Sequence, residues 1–416
     1  MRSIEEGLRK AALSAASAVL VQLLDSIPET APTCPCCGRP MRNLGKRSKK
    51  IVSLLGNGEI SRNYYECESC HKYAAPKDAV LGIEDTMFTP GVRRVAAKLG
   101  SCDSFESGSA TMDELCGIVV SSKDIERISE AIGNEFENRN KKDIQSALSG
   151  ELHEPRAERV PTMYIEFDGT GIPMTKRETE GRRGKQEDGA SKTREAKVGC
   201  IFTQTATDSE GSPVRDKGST TYFGAIETSE NFGDRLYSEA VKRDVSSAEK
   251  VVIIGDGARW IWNLANLHFP GAIEIVDLFH AKEHIWELVK QFVRDEKSRA
   301  RYKKKWYTLL EKGNISALTR EFASLKAIGD EQRKQIDREI GYFNDNANRM
   351  QYAKFKAEGL FVGSGVIEAA CKNVIGKRLK QSGMHWSLRG ANDIIALRCA
   401  VLSGRFDASF DSLAAA

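Results

Sequence analysis

The sequence predicts a multidomain α/β protein built around a mixed β-sheet, and three observations carry that expectation. From Thr162 onward three strand-like runs are followed by alternating helix and strand, the order of an α/β fold with a mixed sheet. Two Cys-x-x-Cys pairs near the N-terminus mark a small separate module. Residues 298–358 read as wholly helical and interrupt the α/β pattern. A length of 416 residues, at roughly 150 per domain, corresponds to two or three domains.

The elements follow in order. Residues 3–25 read as a helix that stops at Ser26-Ile27-Pro28. Lys50–Leu55 and Glu59–Glu66 are strand-like, and 91–137 are helical. Residues 138–160 are charged, contain Pro155 and are followed by Pro161, which predicts a linker. Strands are expected at 162–168, 198–205, 220–226, 251–254 and 272–276, with helices at 232–242, from Gly257, and from about Phe279. Helices resume at Ser364 and Ser387. The expected partition is an N-terminal helix (1–30), a Cys-rich module (31–76), a helical region (77–150), an α/β core (160–297), a helical insertion (298–360) and closing core helices (361–404).

Composition excludes some classes. With 62 Lys and Arg against 58 Asp and Glu and 40% hydrophobic residues, the chain has the balance of a globular protein. The apolar run from Ala11 to Leu24 reads as too short to span a bilayer and is broken by Ser14, Ser17 and Gln22. Glu5 and Glu6 stand where a signal peptide needs positive charge. A reducing cytoplasm and no membrane partner are therefore expected, and clustered cysteines point to metal before disulfides.

Cys34/Cys37 and Cys67/Cys70 are separated by 29 residues. Zn²⁺ wants four soft ligands in a tetrahedron, and each tight turn bearing two thiolates supplies half of it. One structural Zn²⁺ in a zinc ribbon is expected, with Cys36 and His71 as possible substitutes for a ligand. Farther on, Met112–Cys116, the turn Gly117–Ser121 and a helix opening at Ser122, with Ile125, Ile128 and Ile132 on one face, fit either a DNA-binding helix-turn-helix or a plain helical hairpin.

Chemistry gathers at three acids. Asp168 ends a strand in Tyr164-Ile-Glu-Phe-Asp168-Gly, and Asp256 ends the apolar run in Ile-Gly-Asp256-Gly. In open α/β sheets ligands collect at such strand ends. Glu368 lies in a helix that Ser364 would cap, with Lys372 one turn on as an ion-pair partner. A terminal Asp can simply cap the next helix, and for Asp256 that reading stays open. Three carboxylates without neutralising partners repel unless they share divalent cations, and oxygen-only sites suit Mg²⁺ or Mn²⁺.

Asp168-Gly-Thr-Gly, Gly181-Arg-Arg-Gly-Lys185 with Asp188-Gly and Thr193-Arg-Glu-Ala-Lys197, Gly255-Asp256-Gly-Ala, Asp277-Leu-Phe-His280 and Ser364-Gly-Val-Ile-Glu368 together resemble bacterial insertion-sequence transposases of the DDE type, nearest the Kra-type group. The resemblance covers about 160–400. It implies a ribonuclease H-like core, Asp168, Asp256 and Glu368 as ligands of two Mg²⁺ or Mn²⁺ ions, and a helical insertion before the last acid. It further implies cleavage at element ends, strand transfer of a 3′-hydroxyl, DNA as partner, at least a homodimer on the ends, and a bacterial cytoplasmic, nucleoid-associated location.

For gripping DNA, the segment Lys176–Lys197 holds eight Lys or Arg and five Asp or Glu. Arg182, Arg183, Lys185, Lys192 and Arg194 are candidate phosphate contacts, as are Lys377, Arg378 and Lys380 beside Glu368. Lys297–Lys305 carries six basic residues with Tyr302 inside and Trp306 after, a pattern suited to backbone tracking. Trp386 either stacks on a base or anchors a core helix, and His280 is a possible accessory at the site. Two other readings exist: a non-catalytic DNA-binding regulator derived from a transposase, and a zinc metalloprotease through His280-Ala-Lys-Glu-His284 with Glu358 as third ligand.

Overall fold

The computed structural model describes residues 1–152, 159–184 and 190–414. The chain forms two units: Met1–Glu135 together with the segment from Gly404 onward, and Phe136–Ser403.

The first unit opens with helix α1 (Arg2–Asp25). Among the described residues α1 is the one helix long and apolar enough, by length and composition, to cross a membrane, so the expectation that this segment is too short needs correction. The reason is that the helix reaches well beyond the apolar run; within the unit its Ser17 Oγ donates to the Asn57 carbonyl at 3.1 Å. Strands β1 (Arg42–Ser53), β2 (Gly56–Glu66) and β3 (Tyr73–Ala74) form an antiparallel sheet in that order. The inner half of the β1–β2 hairpin is fixed by a buried cluster of Ile51, Ile60 and Ile83, with Val21 and Leu24 of α1 against it.

Helices α2 (Pro90–Cys102) and α3 (Phe105–Thr111) follow, and one π-helical turn, Met112–Cys116, ends at left-handed Gly117. Helix α4 (Ser122–Leu148) then begins. Its cap is Ser121 rather than Ser122: Ser121 Oγ accepts from the Asp124 amide at 3.1 Å and donates to the Asp124 carboxylate at 2.6 Å, a reciprocal cap. Ile125, Ile128 and Ile132 are buried, as their spacing requires. The C-terminal helix Phe406–Ala414 joins α2 through Asp407, which pairs with Arg94 at 2.8 Å and Lys98 at 3.1 Å.

Helix α4 runs to Leu148, so the linker expected from 138 starts later. The stretch has no Gly or Pro to stop a helix. Within the second unit Glu137 is held by the buried Arg235 at 2.7 Å, and Asp143 by Lys242 at 2.6 Å. Two buried or half-buried partners outweigh the polar composition that read as linker.

The second unit is centred on a five-stranded sheet. In chain order the strands are β4 (Val160–Pro173), β5 (Thr193–Gln204), β6 (Thr221–Ala225), β7 (Ala248–Gly255) and β8 (Ile273–Val276). Their order across the sheet is β8-β7-β4-β5-β6. β5 runs antiparallel to both of its neighbours, β4 and β6, whereas β7 and β8 run parallel to β4. The switch is physically required, because a helix, α5 (Ser229–Lys242), separates β6 from β7 and lets the chain cross back over the sheet. Helix α6 (Arg259–His268) makes the same kind of connection between β7 and β8.

Burial on both faces explains the apolar strands. Met163, Tyr164, Ile165 and Phe167 of β4 are inaccessible, as are Val252, Ile253 and Ile254 of β7. Phe232 and Leu236 of α5 and Ile261 of α6 are buried on one side. After β8 come α7 (Leu278–Phe292), then α8 (Glu296–Glu311), α9 (Ile315–Ala323), α10 (Asp330–Asp345) and α11 (Tyr352–Ala357). Trp306, Phe322 and Phe343 form their edge-to-face core, with centroids 4.9 and 5.4 Å apart. Helix α12 (Gly365–Ala370) and helix α13 (Leu388–Leu402) close the unit.

Candidate acidic site and cysteine centre

Register places the acids. Glu166 on β4 pairs with Ile254 on β7, so Asp168 and Asp256, each two residues further, stand level just past the paired stretch of these parallel strands. Gly255 pairs with Val276, so Asp277 stands level with Asp256 on the next strand. Asp256 and Asp277 thus follow the last residues of β7 and β8, whereas Asp168 lies inside β4, which stays paired with β5 as far as Pro173, so the expectation that Asp168 ends a strand is corrected; the three stand on adjacent strands about 4.8 Å apart. Glu368 comes from α12 and is exposed, whereas Asp168 and Asp256 are half-buried.

These groups feel one another. Burial, and then the Asp256 carboxylate, raises the Asp168 pKa, against the Gly169 amide, which donates to Asp168 Oδ1 at 2.6 Å, and His280. Burial also raises Glu368, helped by the fields of Asp277, Glu283 and Asp168 and opposed by His280. None of Asp168, Asp256 and Glu368 makes an ion pair among the described residues, and Lys372 does not pair with Glu368. Asp168, Asp256 and Glu368 do not bring their oxygens within 4.8 Å of one another; the cysteine cluster below is the only such set of three or more ligands among the described residues.

Asp256 is not a helix cap. Its Oδ1 accepts the Ala258 amide at 2.8 Å in a turn, and α6 starts one residue later with Ala258 at the cap position. The following Gly257 has φ +95°, and a Cβ there would lie 2.7 Å from the Tyr342 ring. Tyr342 on α10 donates its hydroxyl to the Asp256 carbonyl at 3.0 Å and stacks on His284 at 4.1 Å, and His284 Nδ1 lies 2.7 Å from Glu339. The helices between β8 and α12 therefore reach back and fix the loop that carries Asp256.

Two buried acids hold the segment that carries Glu368, and sequence reasoning missed both roles. Asp277 accepts the His280 amide at 2.7 Å and also the Ser364 amide, while the Leu278 amide donates to the Val362 carbonyl at 2.9 Å. Ser364 therefore occupies the cap position without a side-chain capping bond, correcting its expected role. Glu166 is fully buried and accepts the Ile367 amide at 2.9 Å, leaving Oε1 without a partner. Burial, reinforced by Asp277 and Glu368, pushes its pKa up to about 8. The available signal was a Glu flanked by apolar neighbours inside a strand buried on both faces.

The expected DNA contacts separate into groups. Arg182, Arg183 and Lys192 are exposed; Arg194 is half-buried and 4.0 Å from Glu178. Lys185 lies outside the described residues. Lys377 and Lys380 are exposed, and Lys380 Nζ reaches Thr170 Oγ1 at 2.5 Å, two residues past Asp168. Arg378 is fully buried with its guanidinium 5.0 Å from the Trp386 ring, so it is removed from the set able to meet a phosphate. Trp386 is an anchor: its indole donates to the Leu379 carbonyl at 3.0 Å, and its backbone bonds to Pro173 and Thr175. Trp306 is buried too, so the 297–305 run offers charge without that aromatic. His280 and His284 lie 5.0 Å apart by ring centroid, and with His284 committed to Glu339 and Tyr342 they form no three-ligand set with Glu358 among the described residues.

The cysteines converge in the first unit. Cys34, Cys37, Cys67 and Cys70 have all four sulfurs within 4.8 Å of one another, forming a cluster able to hold Zn²⁺. Two matching turns build it: the Gly38 amide donates to the Cys34 carbonyl and the His71 amide to the Cys67 carbonyl, both at 2.8 Å. Gly38 and His71 both have positive φ. Cys37 and Cys67 sulfurs are 3.6 Å apart, close to the roughly 3.8 Å edge of a tetrahedron with 2.3 Å Zn–S bonds. The amides of Cys37 and Cys36 lower the Cys34 thiol to about 7, whereas the hydrogen bond with Cys37 and burial raise Cys70. Cys36 and His71, the possible substitutes, are exposed and outside the cluster.

Among solved structures, the chain is similar to NurA bound to dAMP and manganese, at 13% identity and a TM-score of 0.11 over 71% of this chain, too weak to bear on fold or chemistry. The chain spans 65% of that protein's length. No curated protein matches it. A family model does, over residues 41–409, which take in both the cysteine centre's second pair and all the acids above: the chain belongs to the uncharacterised protein family UPF0236.

Proposed function

We propose that this protein is a DDE-type DNA transposase with a ribonuclease H-like core. The observation that carries the reading is the level placement of Asp168, within β4, and Asp256, just past the end of the neighbouring β7, with Glu368 feeling the Asp168 charge and no ion-pair partner for any of the three among the described residues. The strand order β8-β7-β4-β5-β6, three strands antiparallel and two parallel to the first, supports the core assignment.

The donor set fits hard divalent cations, since its acids supply oxygen, and burial, reinforced by neighbouring carboxylates, raises Asp168 and Glu368. Asp168, Asp256 and Glu368 would hold two Mg²⁺ or Mn²⁺ ions, which activate an attacking oxygen and stabilise a leaving one in phosphodiester chemistry. The chain's own residues do the positioning. Asp277 and Glu166 fix the backbone of 364–367, and Tyr342 fixes the Asp256 loop. Lys377 and Lys380 offer charge to a phosphate beside the site. Water would serve as nucleophile for cleavage at an element end, and the exposed 3′-hydroxyl for strand transfer. Two ends must be joined, so a dimer or larger assembly on DNA belongs to the proposal, as does the nucleoid as location.

The test is cleavage of DNA carrying the native flanks of this gene, with Mg²⁺ or Mn²⁺. Wild type should give discrete breaks with 3′-hydroxyls, and Asp256→Asn should bind the same DNA without cutting. An Asp256→Asn protein that cuts at full rate would overturn the triad. Binding without breaks by both proteins would support the non-catalytic regulator.

A further inference from the structure

The β1–β2 hairpin concentrates charge. Residues 42–66 hold Arg42, Lys46, Arg47, Lys49, Lys50 and Arg62 against Glu59 and Glu66, six minus two, or +4. The whole chain carries +4 as well. Residues Arg42 through Ser48 of β1 are exposed, while the facing residues 61–64 of β2 are half-buried and Tyr65 is buried. Antiparallel ribbons ordinarily bury one face. Here Leu44 is the only large apolar side chain between Arg42 and Lys50.

The basic residues fall into two sets. Lys49 and Arg62 are spent on the buried Asp78, at 3.1 and 2.8 Å, and Arg42 pairs with Glu66 and Glu68 at 3.3 and 3.2 Å. Lys46, Arg47 and Lys50 make no ion pair among the described residues; Glu59 lies across the ladder from Lys50 without pairing. Lys46 and Lys50 share one face, about 13 Å apart at 3.3 Å per residue. Arg47 points to the other face and lies 4.1 Å over the Tyr64 ring, which stacks on Tyr73 at 5.6 Å and 17°. A guanidinium held flat by an aromatic ring has lost conformational freedom before any partner arrives.

We propose that the outer β1–β2 ribbon binds duplex DNA through Lys46, Arg47 and Lys50. A two-stranded ribbon fits a major groove about 12 Å wide, and the Lys46–Lys50 separation matches its two phosphate walls. The inference deepens the transposase reading by naming the surface that holds DNA, but it does not need the three acids to be catalytic.

The experiment is fluorescence anisotropy of a labelled random-sequence 30-base-pair duplex with the full zinc-loaded chain across a salt series, without Mg²⁺. Wild type should bind with a steep salt dependence. The Lys46→Ala/Arg47→Ala/Lys50→Ala variant should bind at least tenfold more weakly at 100 mM salt, with a slope shallower by about 2 to 3 for three lost phosphate contacts. Lys46→Arg with Lys50→Arg should keep the wild-type slope, which excludes misfolding as the cause. Lys326→Ala/Lys334→Ala/Lys356→Ala removes equal charge elsewhere and should leave the slope nearly unchanged.

Lysines on an edge strand can serve only to block edge-to-edge association. In that case the ribbon variant would aggregate while its soluble fraction bound like wild type, and the proposal would fall. It would also fall if wild type ignored duplex DNA or if the remote variant lost the same slope. A protein that binds through the ribbon but never cuts sustains this inference and defeats the transposase.

Discussion

Glu166 and Asp168 lie two residues apart on one face of β4, yet their surroundings hold them differently. Asp168 is half-buried, where β4 has passed the end of its pairing with β7 but stays paired with β5. Glu166 has no accessible surface, one amide donor and one oxygen without a partner, so its neutral form is favoured and its pKa rises to about 8. An acid whose native pKa lies above its unfolded value binds more protons when folded. Between roughly pH 4.5 and 8 the stability it leaves to the fold therefore falls as pH rises. Glu166→Gln keeps the acceptor for the Ile367 amide and cannot ionise. Urea unfolding without added Mg²⁺ should show the variant gaining on wild type by up to about 3–5 kcal/mol from pH 5 to pH 8.5. A difference that stays flat across that range would mean the carboxyl is ionised throughout.

At the scale of elements, Asp256 depends on a helix from the insertion. Gly257 needs positive φ and leaves room for the Tyr342 ring. Gly257→Ala should cost about 2–4 kcal/mol, combining left-handed strain with overlap. Tyr342→Phe, which loses one hydrogen bond to the Asp256 carbonyl, should cost nearer 1 kcal/mol. Thermal unfolding orders the two, and equal costs would mean the loop adjusts freely. The same scale shows what the sequence could express. Strands β4 to β8 were legible because burial on both faces demands continuous apolar runs, as in Val251–Ile254. Helix ends were less legible: α4 passes the expected stop because Arg235 and Lys242 hold Glu137 and Asp143, partners about a hundred residues away. Asp168, Asp256 and the four cysteines stood out through local spacing. Glu166 and Asp277 did not show their roles, since the amides they hold belong to residues 201 and 87 positions later in the chain.

For the whole molecule, the two units rest on different kinds of core. The five-stranded sheet is covered by helices and buries Met163, Tyr164, Ile165 and Phe167 of β4 and Val252, Ile253 and Ile254 of β7. In the first unit the cysteine end of the ribbon has only Cys34, Met41, Tyr65 and Cys67 as a buried cluster, with Cys70 and Ala74 beside it. So few apolar groups do little to offset the entropy of ordering two turns, and a Zn²⁺ held by the four cysteines would supply the difference. The inner end of the same hairpin has its own cluster of Ile51, Ile60 and Ile83. Chelation should therefore act within one hairpin rather than on the whole chain. Hydrogen exchange after zinc removal should rise sharply at residues 34–41 and 65–74, rise less at 51–60, and stay unchanged at 251–254. Even exchange across all three regions would show that the cysteine centre holds no metal that matters to folding. Loss of protection along β7 would show instead that the sheet depends on that metal.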